Sequence, residues 1–446
     1  MSSAPHCVVV GAGPGGLYAG HLLQRAGVSY EILEASDRVG GRVVSRVHGQ
    51  DVIDVGAQVF HSSYAHVEGL IRRLRLRADC VEVNGATRYQ RADGQAWVQG
   101  RVPYMPGLGL RGNLALWRYA LGRLLVDRRQ RLHRIEWAGP EDALSVAEYI
   151  DRHGADAFHR FLLPLLCAAM NVASPEHTSV QHLHHVFRIA ALTRMYTFRR
   201  GNEQLWQAVA AGQPVQLGRK VAEVVCEQGR VRGVRLAGNG ETLAADHVIL
   251  ATSPHTTEDL LPATMAGRRA FFRDIPKIAQ CIPVVHLDRR LDAKLVNYMA
   301  EPRAGRHFVM AIDAANKAPT LVPSGRSVLT LWDAHPASAR LAGMPDAEVT
   351  ALAMSDLQQL VPGFSPQWVR DVEIVRHAYS HTPYGPGSYR RIVDFLAQEQ
   401  GQDGLHFTSD LFGGSYMECA LIMAHRVVSR IVPGADLDPL TTGVAA

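Results

Sequence analysis

The 446-residue sequence is poor in lysine, has no paired-cysteine motif and has no long apolar run. Only four of its 47 basic residues are lysines, a bias typical of GC-rich bacterial genomes. The arginines are scattered and not interleaved with aromatic residues, so we expect no nucleic-acid partner. The six cysteines have irregular spacing, which predicts reduced thiols in a cytoplasmic protein. The longest apolar segment, residues 161–173, contains Pro164 and is too short to cross a bilayer.

The remaining composition is that of an ordinary globular protein. Hydrophobic residues make up 47% of the chain and charged residues 20%, with a net charge of +5. The chain is too long for one hydrophobic core, so two interleaved domains are expected. The first apolar segment lacks a basic leader, and we therefore expect no signal peptide.

The N-terminal residues have the pattern of a dinucleotide-binding unit. An apolar strand (residues 7–10) is followed by glycines at positions 11, 13 and 16, a helix to Arg25, and a second strand that ends in Glu34. In this pattern the glycines permit a tight turn, a close approach of pyrophosphate, and helix–strand packing. The helix N-terminus attracts the phosphates, and Glu34 is placed to bind the ribose hydroxyls. The predicted contacts are Gly11, Ala12, Gly13, Pro14, Gly15, Gly16, Glu34 and Ala35.

A second glycine pair, Gly40-Gly41-Arg42, follows Glu34 and indicates FAD instead of NAD. From here the sequence resembles the flavin-containing amine oxidase superfamily, which includes monoamine oxidases, protoporphyrinogen oxidases and phytoene desaturases. The segment 404–420, GLHFTSDLFGGSYMECA, resembles the last cofactor segment of that superfamily, with Ser409 and Cys419 in place of glycines. The resemblance implies further FAD contacts from Gly41, Arg42, Gly56, Ala57, Gln58, Val59, Val221, Asp410 and the backbone of Met417. It also implies non-covalent FAD, because the attachment cysteine of monoamine oxidases is missing.

The order of strand and helix signals, together with the resemblance, predicts an α/β fold. We expect a Rossmann-like FAD-binding domain built from discontinuous segments, plus an inserted α+β substrate domain. The predicted FAD-binding domain comprises residues 1–75, 201–255 and 376–440, and the substrate-binding domain residues 76–200 and 256–375. One predicted helix carries apolar residues three and four apart, and we expect it to pack inside the substrate domain. Contact of that helix with a membrane surface is the alternative; its apolar residues are Leu110, Leu114, Trp117, Leu121 and Leu124.

The resemblance also points to candidate catalytic residues. Tyr416 matches one of the two aromatic rings that flank the substrate nitrogen in amine oxidases, and the second falls near Tyr379 or Ser380. Gln280 stands where many amine oxidases place a lysine near flavin N5, which favours desaturase-like relatives. His182 and His185 share a helical face, and a polar wall of the substrate pocket or a solvated helix face is favoured over a metal site there. We predict no metal.

These features predict an FAD-dependent oxidoreductase. It would remove two hydrogens from a C–N bond of a small amine or partly reduced N-heterocycle, with oxygen as acceptor. A C–C desaturase or an enzyme like protoporphyrinogen oxidase is the first alternative. The second is a non-redox mutase of the UDP-galactopyranose type, which residues 56–61 faintly resemble and for which Arg188, Arg194, Arg199 and Arg200 would bind a diphosphate. Monomer and homodimer both stay open.

Overall fold

The structure is a computed structural model that describes residues 5–100, 104–126, 137–171, 173–190, 193–302, 305–333 and 337–437. The side chain of Leu124, which we predicted on an apolar helix face, lies outside the described part.

A five-stranded parallel sheet contains the N-terminal strand at its centre. His6–Val10 pairs with Ser29–Leu33 on one side and with His247–Leu250 on the other. In spatial order the strands are Val215–Gln216, Ser29–Leu33, His6–Val10, His247–Leu250 and Leu405–Phe407. The sheet thus draws on three separate stretches of the chain, as a discontinuous Rossmann-like unit requires.

Helices cover both faces of this sheet. On one face, Pro14–Arg25 and Met417–Ile431 share a core that includes Leu22, Leu421 and Val427. On the other face, Ser388–Glu399 packs through Phe395 and Leu396. The first and last helices of the described chain therefore meet beside the glycine-rich turn.

A seven-stranded mixed sheet forms the second large layer. Its strands in spatial order are Val369–His381, Ile278–Leu287, Val328–Asp333, Phe308–Asp313, Leu295–Ala300, Ala86–Gln90 and Ala96–Gln99. The helix Asp346–Leu360 packs on it. The strand Val369–His381 runs past the predicted domain boundary at residue 376, because its pairing with the neighbouring strand continues to His381. Residues 376–381 thus lie in this sheet.

Smaller sheets and helices connect these layers. The remaining strands are Ser45–His48, Asp51–Asp54, Phe60–His61, Cys80–Glu82, Met195–Phe198, Val221–Glu227, Arg230–Leu236 and Thr242–Ala244. The other helices are Ala65–Arg73, Gly109–Val126, Val146–His153, Leu163–Asn171, Val180–Ala190, Glu203–Ala210, Pro254–Leu260, Ala266–Arg273, Ala314–Lys317 and Ala337–Ala342.

The helix Gly109–Val126 does not bury its predicted apolar face. Leu110, Leu114, Trp117 and Leu121 are all exposed. The inner face instead uses Asn113, which bonds backbone groups of Met105 and Gly109, and Tyr119. The expectation that the stripe packs inside the substrate domain is therefore wrong, because helical periodicity does not show which face meets a neighbour.

Alanine substitutions at two helical glycines test the packing of the glycine-rich turn. A Cβ atom at Gly16 would clash with the carbonyl oxygen of Gly11, whereas a Cβ atom at Gly122 would have no atom within 4 Å. Alanine is favoured over glycine in helices by about 1 kcal/mol, so Gly122→Ala should be neutral or stabilising. Gly16→Ala should lower the free energy of unfolding by about 2–3 kcal/mol. Chemical denaturation measures both, and equal midpoints for the two variants would contradict this packing.

Candidate active site

The glycine-rich turn and the second glycine pair face each other through backbone atoms, because the facing residues are glycines. Gly11 has φ of +103°, and its N–H donates to the carbonyl of Leu33 at 2.7 Å. A Cβ atom at Gly41 would lie only 3.2 Å from the Cα atom of Gly13. Pro14 occupies the first turn of the following helix, where its missing N–H costs nothing. The two loops form a cradle whose exposed groups are backbone amides at a helix N-terminus, suited to an anion.

Glu34 is fixed at one end of this cradle. Its Oε2 accepts from the N–H of Ala12 at 2.8 Å, and its Oε1 accepts from the N–H and hydroxyl of Ser36 at 2.9 and 2.8 Å. The N–H of Arg219 donates to the carbonyl of Glu34, which brings the segment before Val221 alongside. This hydrogen bond places Arg219, two residues before the predicted contact Val221, beside Glu34.

Arg42 joins three distant stretches of chain. Its Nη2 donates to Oδ1 of Asp410 at 2.5 Å, and its Nη1 donates to the carbonyl of Ser380 at 2.7 Å. Burial alone would raise the pKa of Asp410, but the Arg42 guanidinium outweighs it and holds this pKa below its ordinary value. Arg42 also lies 4.9 Å above the ring of Tyr379, and 40% of its side chain stays exposed.

A buried ion pair between Lys317 and Asp54 contacts the predicted cofactor segment, residues 56–59. A Cβ atom at Gly56 would clash with the carbonyl oxygen of Arg42, so only glycine fits there. Lys317 Nζ donates to Asp54 Oδ2 at 2.8 Å and to the backbone carbonyl of Gln58 at 3.2 Å. Both charged side chains are at most 2% exposed. Sequence reasoning missed this pair, because the two residues are 263 positions apart.

The terminal helix begins at Met417. The N–H of Met417 lies in the first turn, where amides have no intrahelical acceptor. Glu418 turns away from this end, since its Oε1 accepts from the backbone N–H and the Nδ1 of His66, both at 2.8 Å. The free helix N-terminus thus presents backbone amides and the positive end of the helix dipole beside the cradle.

A family model described as flavin containing amine oxidoreductase matches residues 14–432. The chain belongs to this family. The description of this family implies a flavin cofactor.

Individual relatives are distant. The L-amino-acid oxidase of Naja atra is 25% identical over 303 residues, which are 64% of this chain and 57% of that protein. The chain spans less than two thirds of the length of the first curated relatives that it matches. Among solved structures, cyclohexylamine oxidase from Brevibacterium oxydans IH-35A has a TM-score of 0.75 at 18% identity, covering 96% of this chain and 98% of that one. A fatty acid isomerase from P. acnes has a TM-score of 0.72 at 18% identity, covering 96% and 99%. At such identities the structural likeness establishes the fold alone.

The geometry of the cradle fits FAD. Bare backbone at Gly13 and Gly41 leaves room for a pyrophosphate, Glu34 suits a ribose, and the Met417 amide suits the pyrimidine edge of a flavin. Asp410, which we predicted to contact FAD, is paired with Arg42.

Tyr416 and His182 form one polar wall beside the terminal helix. Their rings are 6.3 Å apart and inclined by 19°, and the Tyr416 hydroxyl is buried without a protein partner among the described residues. His182 also stacks on Tyr384 at 4.5 Å. Burial lowers the pKa of His182 well below its ordinary value, so its imidazole is neutral at physiological pH.

The second histidine of the predicted pair supports this wall. His182 and His185 each place Nδ1 2.9 Å from the hydroxyl of Tyr389. The part of the chain that the structure describes contains no cluster of three or more metal-ligating side chains with suitable geometry. The pair therefore acts as a hydrogen-bonded wall.

The predicted Gln280 belongs to a buried polar chain. The Ser380 hydroxyl donates to Gln280 Oε1 at 2.7 Å and lies 2.7 Å from His381 Nδ1. Because the hydroxyl has one proton, the second contact requires His381 to donate from Nδ1, which leaves Nε2 as an acceptor. Burial lowers the pKa of His381 to about 4, and Arg42 adds to this effect. His381 is therefore a neutral base.

Asp333 lies at the far end of this chain. Burial raises its pKa to about 7, while hydrogen bonds from the Cys281 amide and the Gln280 side chain oppose the shift. Sequence reasoning missed Asp333, although a carboxylate at the end of an apolar strand was the available signal. Gln280 is only 1% exposed and forms hydrogen bonds with both Asp333 and Ser380. It is therefore a positioning residue.

Tyr379 does not share the wall with Tyr416. Its hydroxyl lies 2.6 Å from the Thr382 hydroxyl, and its ring contacts Arg42 and His255. The ring parallel to Tyr416 is that of His182. A substrate role for Tyr379 stays a prediction. Its observed contact with Arg42 helps to position the guanidinium group.

A cavity of about 490 Å³ opens at the end of the strand that carries Gln280. Ile278, on its wall, is the strand partner of His381. Charged side chains at this cavity include Glu176, Lys277 and Arg391. The cavity therefore lies beside the ends of the two strands that carry Gln280 and His381.

The raised pKa of Asp333 predicts a pH dependence of stability. The folded state binds a proton at Asp333 up to about pH 7, whereas an unfolded aspartate releases it near pH 4, so stability falls as pH rises through this window. Asp333→Asn abolishes this titration. From pH 5 to pH 8, the wild type should lose about 2–3 kcal/mol of unfolding free energy relative to the variant. Urea denaturation at both values measures this, and parallel pH profiles would contradict the shifted pKa.

Proposed function

We propose that the protein oxidises the C–N bond of a small amine or partly reduced N-heterocycle. It would use non-covalently bound FAD and oxygen as the electron acceptor. The observation that carries this proposal is the buried, unpartnered hydroxyl of Tyr416, which lies beside a neutral imidazole at the flavin end of the terminal helix. A buried hydroxyl without a partner is costly unless a ligand satisfies it.

When bound, FAD supplies the hydride acceptor. The chain positions the substrate: the Tyr416 and His182 rings form a flat wall, and the Tyr416 hydroxyl is available to a substrate nitrogen. His381 Nε2 accepts the proton that leaves the substrate nitrogen as the carbon is oxidised. Ser380, Gln280 and Asp333 hold the imidazole in the tautomer that this transfer needs.

The electrostatics favour a neutral amine as the reacting form. His182 and His381 carry no charge at physiological pH. Asp410 is paired with Arg42, so this pair offers no free negative charge to an ammonium group. Turnover should therefore rise with pH until the amine of the substrate is deprotonated.

Carbon–carbon desaturation is the second candidate. Gln280 stands at the position where many amine oxidases have a lysine near flavin N5, and its side chain is hydrogen-bonded to Ser380. The absence of this lysine is what favours desaturation. The mutase alternative has weaker support. Arg199 Nε donates to the carbonyl of Ala78, and Arg194 lines a separate cavity with Ser62 and Glu68, so these arginines do not converge on one diphosphate.

Anaerobic spectroscopy separates these functions. The purified yellow protein is mixed without oxygen with primary amines, cyclic imines and partly saturated hydrocarbons. We expect bleaching of the flavin by a nitrogen compound. Bleaching by the hydrocarbons alone would assign C–C desaturation, and turnover of a sugar nucleotide only after dithionite reduction would overturn the oxidase proposal.

Two tyrosine variants test the role of Tyr416. Tyr416→Phe removes a hydroxyl that bonds no described residue, so the melting temperature and flavin content should not fall, while kcat/KM should fall about tenfold. Tyr384→Phe is the contrast, because its hydroxyl bonds Asp410, Leu411 and Ser415, and its loss should cost about 1–3 kcal/mol of stability. Loss of flavin from Tyr416→Phe would show that the hydroxyl is structural.

A further inference from the structure

One helix presents an apolar stripe to solvent. On Gly109–Val126, the exposed fractions are 79% for Leu110, 57% for Leu114, 46% for Trp117 and 58% for Leu121. Their spacings of four, three and four residues place them on one helical face. Isolated exposed leucines are ordinary, but a continuous stripe of four large side chains marks an interaction surface.

The charged residues of this helix have one sign. Residues 109–126 contain no aspartate or glutamate. Arg111 and Arg118 are exposed and lie seven residues apart, so both flank the same side of the stripe. A helix with leucine and tryptophan on one face and arginine at its edge is complementary to an apolar layer beneath a negatively charged surface.

The opposite face of the same helix is firmly anchored. The Asn113 side chain bonds the backbone of Met105 and Gly109 at 2.7–2.8 Å. The Tyr119 ring packs against Phe158, His184 and Phe187 at 4.9–5.5 Å. His184 and Phe187 belong to Val180–Ala190, the helix that carries His182. The stripe thus faces solvent, one helix away from the wall beside Tyr416.

We propose that this stripe docks the protein in the plane of an anionic lipid surface. Leu110, Leu114, Trp117 and Leu121 enter the boundary between head groups and acyl chains, while Arg111 and Arg118 meet lipid phosphates. Among the described helices, none is long and apolar enough to cross a membrane, so the contact is with the surface. The single-sign charge favours anionic lipid over a second copy of the chain, because facing copies would bring arginine against arginine.

Vesicle sedimentation tests the proposal on the flavin-loaded protein. The probes are vesicles of equal parts phosphatidylglycerol and phosphatidylcholine, and vesicles of phosphatidylcholine alone. The protein should sediment with the anionic vesicles, and Leu114→Glu should weaken this binding about tenfold. Each of Arg111→Gln and Arg118→Gln should weaken binding roughly fivefold on anionic vesicles, with little effect on neutral ones.

Val47→Glu is the matched control, because Val47 is 75% exposed on the separate strand Ser45–His48. It should bind vesicles like the wild type, and all variants should keep their flavin absorbance and melting temperature. Failure of the wild type to sediment, or equal binding by Leu114→Glu, would overturn the proposal. Analytical ultracentrifugation tests the other possible occupant of the stripe, a second copy of the chain. A dimer that Leu114→Glu dissociates, without vesicle binding, would assign the stripe to that copy and also overturn the proposal.

Discussion

The contact between Arg42 and Asp410 is the interaction on which the cofactor site depends. It joins residues 368 positions apart, and through the Ser380 carbonyl it also fixes the end of the long strand Val369–His381. The second glycine pair, the terminal cofactor segment and the polar chain at Gln280 all meet at this guanidinium. The planar fork of arginine suits the task, since it donates to a carboxylate and a carbonyl at once. The rest of the active site is built outward from this point.

The cofactor cradle could be predicted from sequence because its constraints are local. Gly11 needs a positive φ, and Gly16 and Gly56 tolerate no Cβ atom, so the residue type itself records the backbone geometry. The terminal helix begins at Met417 for a similar reason, since its motif is a continuous stretch of chain. The domain boundaries stay predictions, and the long strand Val369–His381 spans the one near residue 376.

The polar chemistry could not be predicted, because it arises from long-range pairing. Asp333, Gln280 and Ser380 come from three neighbouring strands whose order in the sheet no local pattern specifies. The buried pair of Lys317 and Asp54 arises in the same way. Helical spacing correctly indicated the apolar stripe from Leu110 to Leu121, but the spacing does not show whether protein or solvent covers it. The residue types can be read from the sequence, but which distant residues pair with one another in the fold cannot.

The flavin site as a whole is an assembly held by one partly exposed ion pair, and a double-mutant cycle tests that claim most directly. Unfolding free energies of the flavin-free wild type, Arg42→Gln, Asp410→Asn and the double variant give the coupling energy, and flavin retention is measured in parallel. We predict a coupling of about 1–2 kcal/mol, reduced by the exposure of Arg42, and weaker flavin binding in all three variants. Additive effects with full flavin retention would contradict the account.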